Sequence, residues 1–213
     1  NYMEPYPYIV VEGNIGSGKT TLVQKLATQL NARAFYESFS ENPFLPKFYA
    51  APEKNAFPLE LSFLAERYHQ LKKELNSQDL FHKTIISDYY FSKSLIFAEI
   101  NLPEDEFLLY KNLFSIIHQK LAKPSLYIYL YSDINRLQAN IKSRGREYEI
   151  NIKDAYLEKI QQSYLLFINQ QTDFPVLLIN TSKIDFVSSE KDFKCIVSCL
   201  NKKYSKGVHR IVL

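Results

Sequence analysis

The chain has 213 residues, enough for one α/β domain with a substantial buried core. No apolar run approaches the roughly 18 residues that cross a bilayer, the beginning lacks a signal-peptide pattern, and a net charge of +3 is too small to argue for nucleic acid. Neither a membrane nor a nucleic-acid partner is therefore expected, and Cys195 and Cys199, without a His at metal-ligand spacing, read as small buried hydrophobes of a reduced, cytoplasmic protein.

In chain order, residues 1–6, with Pro5 and followed by Pro7, read as a frayed lead-in. The apolar run Tyr8-Ile9-Val10-Val11 then leads into Gly13-Asn14-Ile15-Gly16-Ser17-Gly18-Lys19-Thr20-Thr21, followed by a helical pattern at Leu22, Val23, Leu26, Ala27 and Leu30. Strand, glycine loop and helix are the context that a phosphate-binding loop requires. The glycines let backbone N–H groups approach phosphate oxygens at a helix N-terminus, where the macrodipole favours negative charge. Lys19 is placed to reach the terminal phosphates and the Thr20 hydroxyl to ligate Mg²⁺, so the chain is expected to bind a nucleoside triphosphate.

Residues 34–37 predict a short second strand ending in Glu37. After the breaks at Asn42-Pro43 and Pro46, Phe44, Leu45, Phe48 and Tyr49 suggest a short apolar helix or packed loop. From Phe57 to about Leu75, apolar residues at 61, 64, 68, 71 and 75 give one helical stripe. Glu60 and Arg67 fall beside that stripe on the same side, either snorkelling to solvent or lining a pocket. Residues 83–88 predict a buried strand ending in Asp88. Ligands of parallel α/β sheets gather at the strands' carboxyl ends, which puts Asp88, Glu37 and the phosphate loop on one rim; a helix-capping Asp88 is the competing reading.

Helices are expected through 91–99 and 107–121, the second with an apolar face broad enough for a core or a subunit contact, and a fourth strand at 126–130. Asp133 is placed to cap the next helix. Residues 142–149, with Arg144 and Arg146 around Gly145, read as a mobile lid over transferring phosphates rather than a solvated charge run. A helix over about 152–170, a fifth strand at 176–179, Asp185-Phe186 in a loop, a helix over about 189–200 and a solvated basic tail at 202–213 complete the chain. The pattern predicts a single domain over 1–213: a three-layer α/β/α sandwich around a five-stranded parallel sheet.

Together these residues resemble the deoxynucleoside kinase family, over roughly residues 8–186. Glu12 through Thr21 is similar to the family's phosphate loop. Glu37 stands where the family places the acid that deprotonates the substrate 5′-hydroxyl. Phe57 and Glu60 match a Phe-x-x-Gln element that, with the arginine matched by Arg67, reads the base. Asp88 matches the acid of an Asp/Glu-Arg-Ser motif at the magnesium site. Arg144, Arg146 and Glu149 match a lid pattern whose Glu binds the sugar 3′-hydroxyl, near the tyrosine matched by Tyr49, and Asp185-Phe186 matches an element of the donor's adenine loop. The resemblance implies transfer of the ATP γ-phosphate to a deoxynucleoside with Mg²⁺, in a cytoplasmic homodimer whose other partners are small molecules.

Two departures bear on it. Tyr89 stands where the family has Arg, so a phosphate-stabilising charge has to come from Lys93 or the lid. Glu60 replaces Gln, and an ionised carboxylate only accepts hydrogen bonds. That favours an amino-bearing base, in the order deoxyadenosine, deoxyguanosine, deoxycytidine. The alternatives are a thymidylate-kinase-like monophosphate kinase, for which Arg67 alone is thin as an acceptor-phosphate clamp, and a non-catalytic nucleotide-binding module.

Overall fold

The computed structural model describes residues 6–38, 42–77 and 81–213; most of the expected lead-in lies outside them. The strands are β1 (Tyr8–Gly13), β2 (Arg33–Phe35), β3 (Ile85–Ser87), β4 (Leu126–Tyr131), β5 (Pro175–Asn180) and β6 (Gly207–Val212). The helices are α1 (Lys19–Leu30), α2 (Phe44–Ala50), α3 (Pro52–Asn76), α4 (Ser92–Asn101), α5 (Glu104–His118), α6 (Ile134–Arg144), α7 (Asp154–Asn169) and α8 (Glu190–Leu200).

The sheet runs β2-β3-β1-β4-β5-β6, every pair parallel. Strands buried on both faces need apolar side chains on both, and the alternation divides them cleanly. Tyr8 and Val10 of β1 and Tyr127 and Tyr129 of β4 join the core beneath α3, α4 and α7. Ile9, Val11, Ile128 and Leu130 face the opposite core, with Leu22 and Leu26 of α1 and Phe193 and Ile196 of α8. From β1 the chain passes to β2 with β3 slotted between them, then crosses to β4 on the other flank. This reversal of strand order opens a crevice at the carboxyl end of β1, where the glycine loop begins.

Two expectations change. Among the described residues the sheet has six strands, not five, because the tail pairs with β5 in the register Val176↔Val208 and Leu178↔Arg210. Gly207, at φ +100°, turns the chain into this strand. An edge strand tolerates His209 and Arg210 at positions that an inner strand would not, which hides its pattern in a lysine-rich stretch. In α3 the buried face runs through Ala56, Leu59, Glu60, Phe63, Leu64, Arg67 and Leu71. Glu60 and Arg67 therefore sit in the buried face, not beside it.

Candidate active site

The phosphate loop is built by backbone requirement. Gly16 and Gly18 both adopt φ +83°, a conformation that costs side-chain-bearing residues about 1–2 kcal/mol. A Cβ on Gly16 would also stand 2.7 Å from the carbonyl oxygen of Leu137, in α6. Asn14 fastens the loop by donating from Nδ2 to the Leu157 carbonyl at 2.8 Å and accepting the Ile15 N–H at Oδ1. Asn140 donates to the Gly16 carbonyl at 2.8 Å. Helix α1 then begins with no capping side chain and no acidic residue in its first turn, leaving its first N–H groups for an anion. Among the described residues the Lys19 ammonium makes only a long contact, 3.4 Å, with the Gly13 carbonyl, and burial, reinforced by the nearby Lys93 charge, lowers its pKa to about 8.

Two carboxylates join this loop to the strand ends. Asp88 accepts the Thr20 hydroxyl at 2.8 Å through Oδ2 and the Glu37 backbone N–H at 2.8 Å through Oδ1. Glu37 in turn is gripped by two cations, Arg67 Nε on Oε1 and Lys93 Nζ on Oε2, each at 2.6 Å. Burial pushes its carboxyl up, but Arg67 and Lys93 outweigh burial and hold it at about 2. Arg67 also donates to Ser94 at 2.9 Å and lies over the Phe63 ring. Lys93, at the start of the next helix from Tyr89, thus places its charge on Glu37.

A cavity of about 530 Å³ extends from the loop, past Glu37, to Glu60 and Asn101. Leu45, Phe48, Leu59 and Phe97 give it apolar walls. Glu60 is 2% exposed; its Oε1 accepts Asn101 Nδ2 at 2.9 Å, while Oε2 has no hydrogen-bond partner among the described residues. Burial raises its pKa to about 7 against the pull of Arg67. At the mouth, Arg144 and Arg146 both donate to Glu149, and Tyr148 stacks on Tyr49 with ring centroids 5.9 Å apart. Gly145 turns the chain between the two arginines at φ +70°, and a Cβ added there would meet nothing within 4 Å. The space around it is open.

A sequence profile of the deoxynucleoside kinases matches residues 9–204. The chain belongs to the deoxynucleoside kinase family. It is 34% identical over 203 residues to a deoxyguanosine kinase of Bacillus subtilis, covering 92% of this chain and 97% of that one. It is 28% identical over 210 residues to a deoxyadenosine kinase of Lactobacillus acidophilus, covering 92% and 95%. A solved structure of deoxyadenosine kinase from M. mycoides with bound dATP superposes with a TM-score of 0.79 at 25% identity, over 92% of this chain and all of that one. The protein is thus an ATP-dependent deoxynucleoside kinase of nucleotide salvage.

Most of the kinase's expected site residues converge. Ile15 to Thr21, Glu37, Tyr49, Glu60, Arg67, Asp88, Arg144, Arg146 and Glu149 all line the one cavity. Phe57 does not line it; Phe63, nearly two turns along α3, supplies the aromatic surface under Arg67. Asp185 and Phe186 also stand off it. The Phe186 ring backs Gly18, 3.0 Å from where a Cβ would sit, and Asp185 accepts the N–H groups of Val187 and Ser188; the next residue, Val187, reaches the cavity. Asn101 and Tyr156 escaped sequence reasoning. One ends a helix like any cap residue, the other is one of 16 tyrosines, and neither carried a signal of its own.

The raised pKa of Glu60 makes a stability prediction. Folded Glu60 keeps a proton that the unfolded chain releases near pH 4.5, so its contribution falls as pH rises from about 4.5 to about 7 and is level above. Glu60→Gln is expected to match the wild type in thermal stability at pH 5. It should exceed the wild type at pH 8, by up to about 3 kcal/mol from a shift of this size. Equal melting differences at both pH values would show that Glu60 ionises without cost.

Proposed function

We propose that the kinase, working as one domain, transfers the γ-phosphate of ATP to the 5′-hydroxyl of a purine 2′-deoxynucleoside, deoxyguanosine ahead of deoxyadenosine. The observation that carries this reading is the order of groups along one cavity: phosphate loop, Glu37, then a buried Glu60 with one acceptor oxygen unpartnered among the described residues. Guanine offers adjacent N1–H and 2-amino donors that suit an ionised carboxylate; adenine offers one donor beside an acceptor. The relatives named deoxyguanosine kinase support the same order, with three bacterial examples between 31% and 34% identical.

In this reading the N–H groups of Gly16 to Thr20 and the Lys19 ammonium hold the donor phosphates. Glu37 aligns the acceptor hydroxyl and receives its proton. Arg144 and Arg146 exchange Glu149 for the transferring phosphoryl group as the lid closes, freeing Glu149 for the sugar 3′-hydroxyl beside Tyr49. The residues present fit Mg²⁺: the Thr20 hydroxyl and Asp88 carboxylate are already in contact, and a magnesium ion typically takes one or two protein oxygens besides phosphates and water. When bound there, Mg²⁺ would neutralise charge on the transferring phosphates.

Initial rates with the four deoxynucleosides and with dTMP, in Mg-ATP, test the proposal. Turnover of the two purine deoxynucleosides above both pyrimidines is expected, deoxyguanosine first. Turnover of dTMP alone would replace the acceptor assignment by a monophosphate.

A homodimer is part of the same proposal. Helix α5 buries Tyr110 and Phe114 but leaves Leu108, Leu109 and Ile116 more than half exposed, a row of large apolar side chains suited to a second copy. Sedimentation should give twice the 25.0 kDa chain mass, and Ile116→Lys should shift the mass towards the monomer; a wild-type monomer at micromolar concentration would refute the assignment.

A further inference from the structure

Beside Glu60, in the wall of the same cavity, lies a chain of side chains from three elements. Tyr156, in the first turn of α7, donates its hydroxyl to Asn101 Oδ1 at 3.0 Å, and Asn101, the last residue of α4, donates Nδ2 to Glu60 Oε1 at 2.9 Å. These two bonds set the amide oxygen on Tyr156. With Oδ1 engaged by a donor, the NH₂ group is the end that faces Glu60. A flipped amide would set a carbonyl against the carboxyl oxygen, which only a protonated Glu60 could satisfy.

We infer that Asn101, oriented by Tyr156, is a positioning residue for base choice: by donating to Glu60 it favours the ionised carboxylate and thereby a guanine over an adenine. This rests on the reading of Glu60 as the group that meets the base edge.

The chemistry is complementary in both states. An ionised Glu60 accepts the N1–H and 2-amino protons of guanine, since each carboxylate oxygen retains a lone pair for them. A protonated Glu60 carries its hydrogen on Oε2, because Oε1 already accepts from Asn101. It can then donate to adenine N1 and accept from the adenine 6-amino group. One proton on one oxygen therefore switches the preferred purine.

The charged and titratable groups facing Glu60 come from every element around it. They are Arg67 on its own helix, Glu37 after β2, Lys93 on α4, Tyr110 on α5 and Tyr156 on α7. Arg67 and Lys93 are both engaged by Glu37, so that trio presents one net positive charge, and the tyrosines are neutral at physiological pH. The direct hydrogen bond to the carboxylate from outside that trio is Asn101's. Burial already brings the Glu60 carboxyl into the neutral range, where a single hydrogen bond tips its ionisation.

The test is the ratio of kcat/KM for deoxyguanosine to that for deoxyadenosine, measured from pH 5.5 to 8.5. Wild type should show a ratio that rises with pH. Asn101→Leu should lower the ratio at pH 7 roughly tenfold, about the effect of one hydrogen bond, and move its rise to higher pH. Tyr156→Phe, which deletes only a hydroxyl, should shift the profile the same way by less and guards against a misfolded Asn101 variant. Glu60→Gln carries a fixed donor and acceptor and should favour adenine with a flat profile.

The outcomes separate the two layers of argument. A Glu60→Gln ratio equal to wild type at every pH would overturn the assignment of Glu60 to the base, and the inference with it. A changed, flat ratio in Glu60→Gln beside wild-type profiles in Asn101→Leu and Tyr156→Phe would overturn the relay alone.

Discussion

Glu37→Gln is expected to lower kcat by about two to four orders of magnitude, the range for loss of a positioned acid–base group, with little change in the KM for ATP. The geometry limits what kind of base Glu37 can be. Both carboxylate oxygens are engaged, one by Arg67 and one by Lys93, and the pair hold its carboxyl at about 2. So weak a base does not strip a hydroxyl of its proton in advance. It accepts the proton as the new oxygen–phosphorus bond forms, in keeping with the loose transition state of phosphoryl transfer, and before then it aims the nucleophile. Gln is the informative substitution because it keeps the volume and one acceptor. Like Ala it leaves two buried cations without their carboxylate, and losing one partner of a buried pair costs about 3–5 kcal/mol, so lost folding has to be separated from lost chemistry. Single-turnover rates on variant protein shown to be folded by circular dichroism decide the matter. A Glu37→Gln rate within tenfold of wild type would mean that another group receives the proton.

What the sequence made legible follows from how local each constraint is. The phosphate loop was readable because its requirements are met within a short span: a strand, glycines at 16 and 18 in left-handed conformations, and an uncapped helix start. Glu37 and Asp88 are 51 positions apart, yet they too were legible, since parallel strands bring their carboxyl ends to one rim; here the two meet through the Glu37 N–H. Glu60 and Arg67 were half legible. Their spacing put them on one side of α3, but a hydrophobic stripe cannot show that Glu37, Ser94 and Asn101 wait on other elements to satisfy them. The Asn101–Tyr156 contact, between residues 55 positions apart on two helices, leaves no periodic trace at all. β6 was missed for a related reason: an edge strand needs one apolar face and one neighbour, and Val208, Ile211 and Val212 among basic residues carry too little alternation to announce it.

Lys19→Met should cost about 10² to 10³ in kcat, the loss seen when one preorganised donor to a transition-state oxygen is removed, and should raise the KM for ATP as well. The loop's geometry explains why the lysine is available. Among the described residues its ammonium makes a single long contact, with the Gly13 carbonyl, and burial together with Lys93 disfavours its charge, drawing the pKa down to about 8. The sign for stability is therefore the reverse of the sign for activity. A base whose folded pKa lies below its unfolded value opposes folding at pH 7. Met keeps the stem and drops the charge, so without nucleotide it should leave the melting temperature unchanged or slightly higher. Triphosphate inverts that balance: anionic oxygens stabilise the ammonium, and the helix that begins at Lys19 without acid or cap adds its N–H groups. The rise in melting temperature that ATP produces by mass action in the wild type should accordingly shrink in Lys19→Met. Lys19→Arg should not restore activity, because a planar fork cannot replace a compact ammonium in so narrow a loop. An unchanged ATP-induced shift alongside a rate within tenfold of wild type would place the donor phosphates elsewhere, since Lys19 is the one cationic side chain in the run from Gly13 to Thr21.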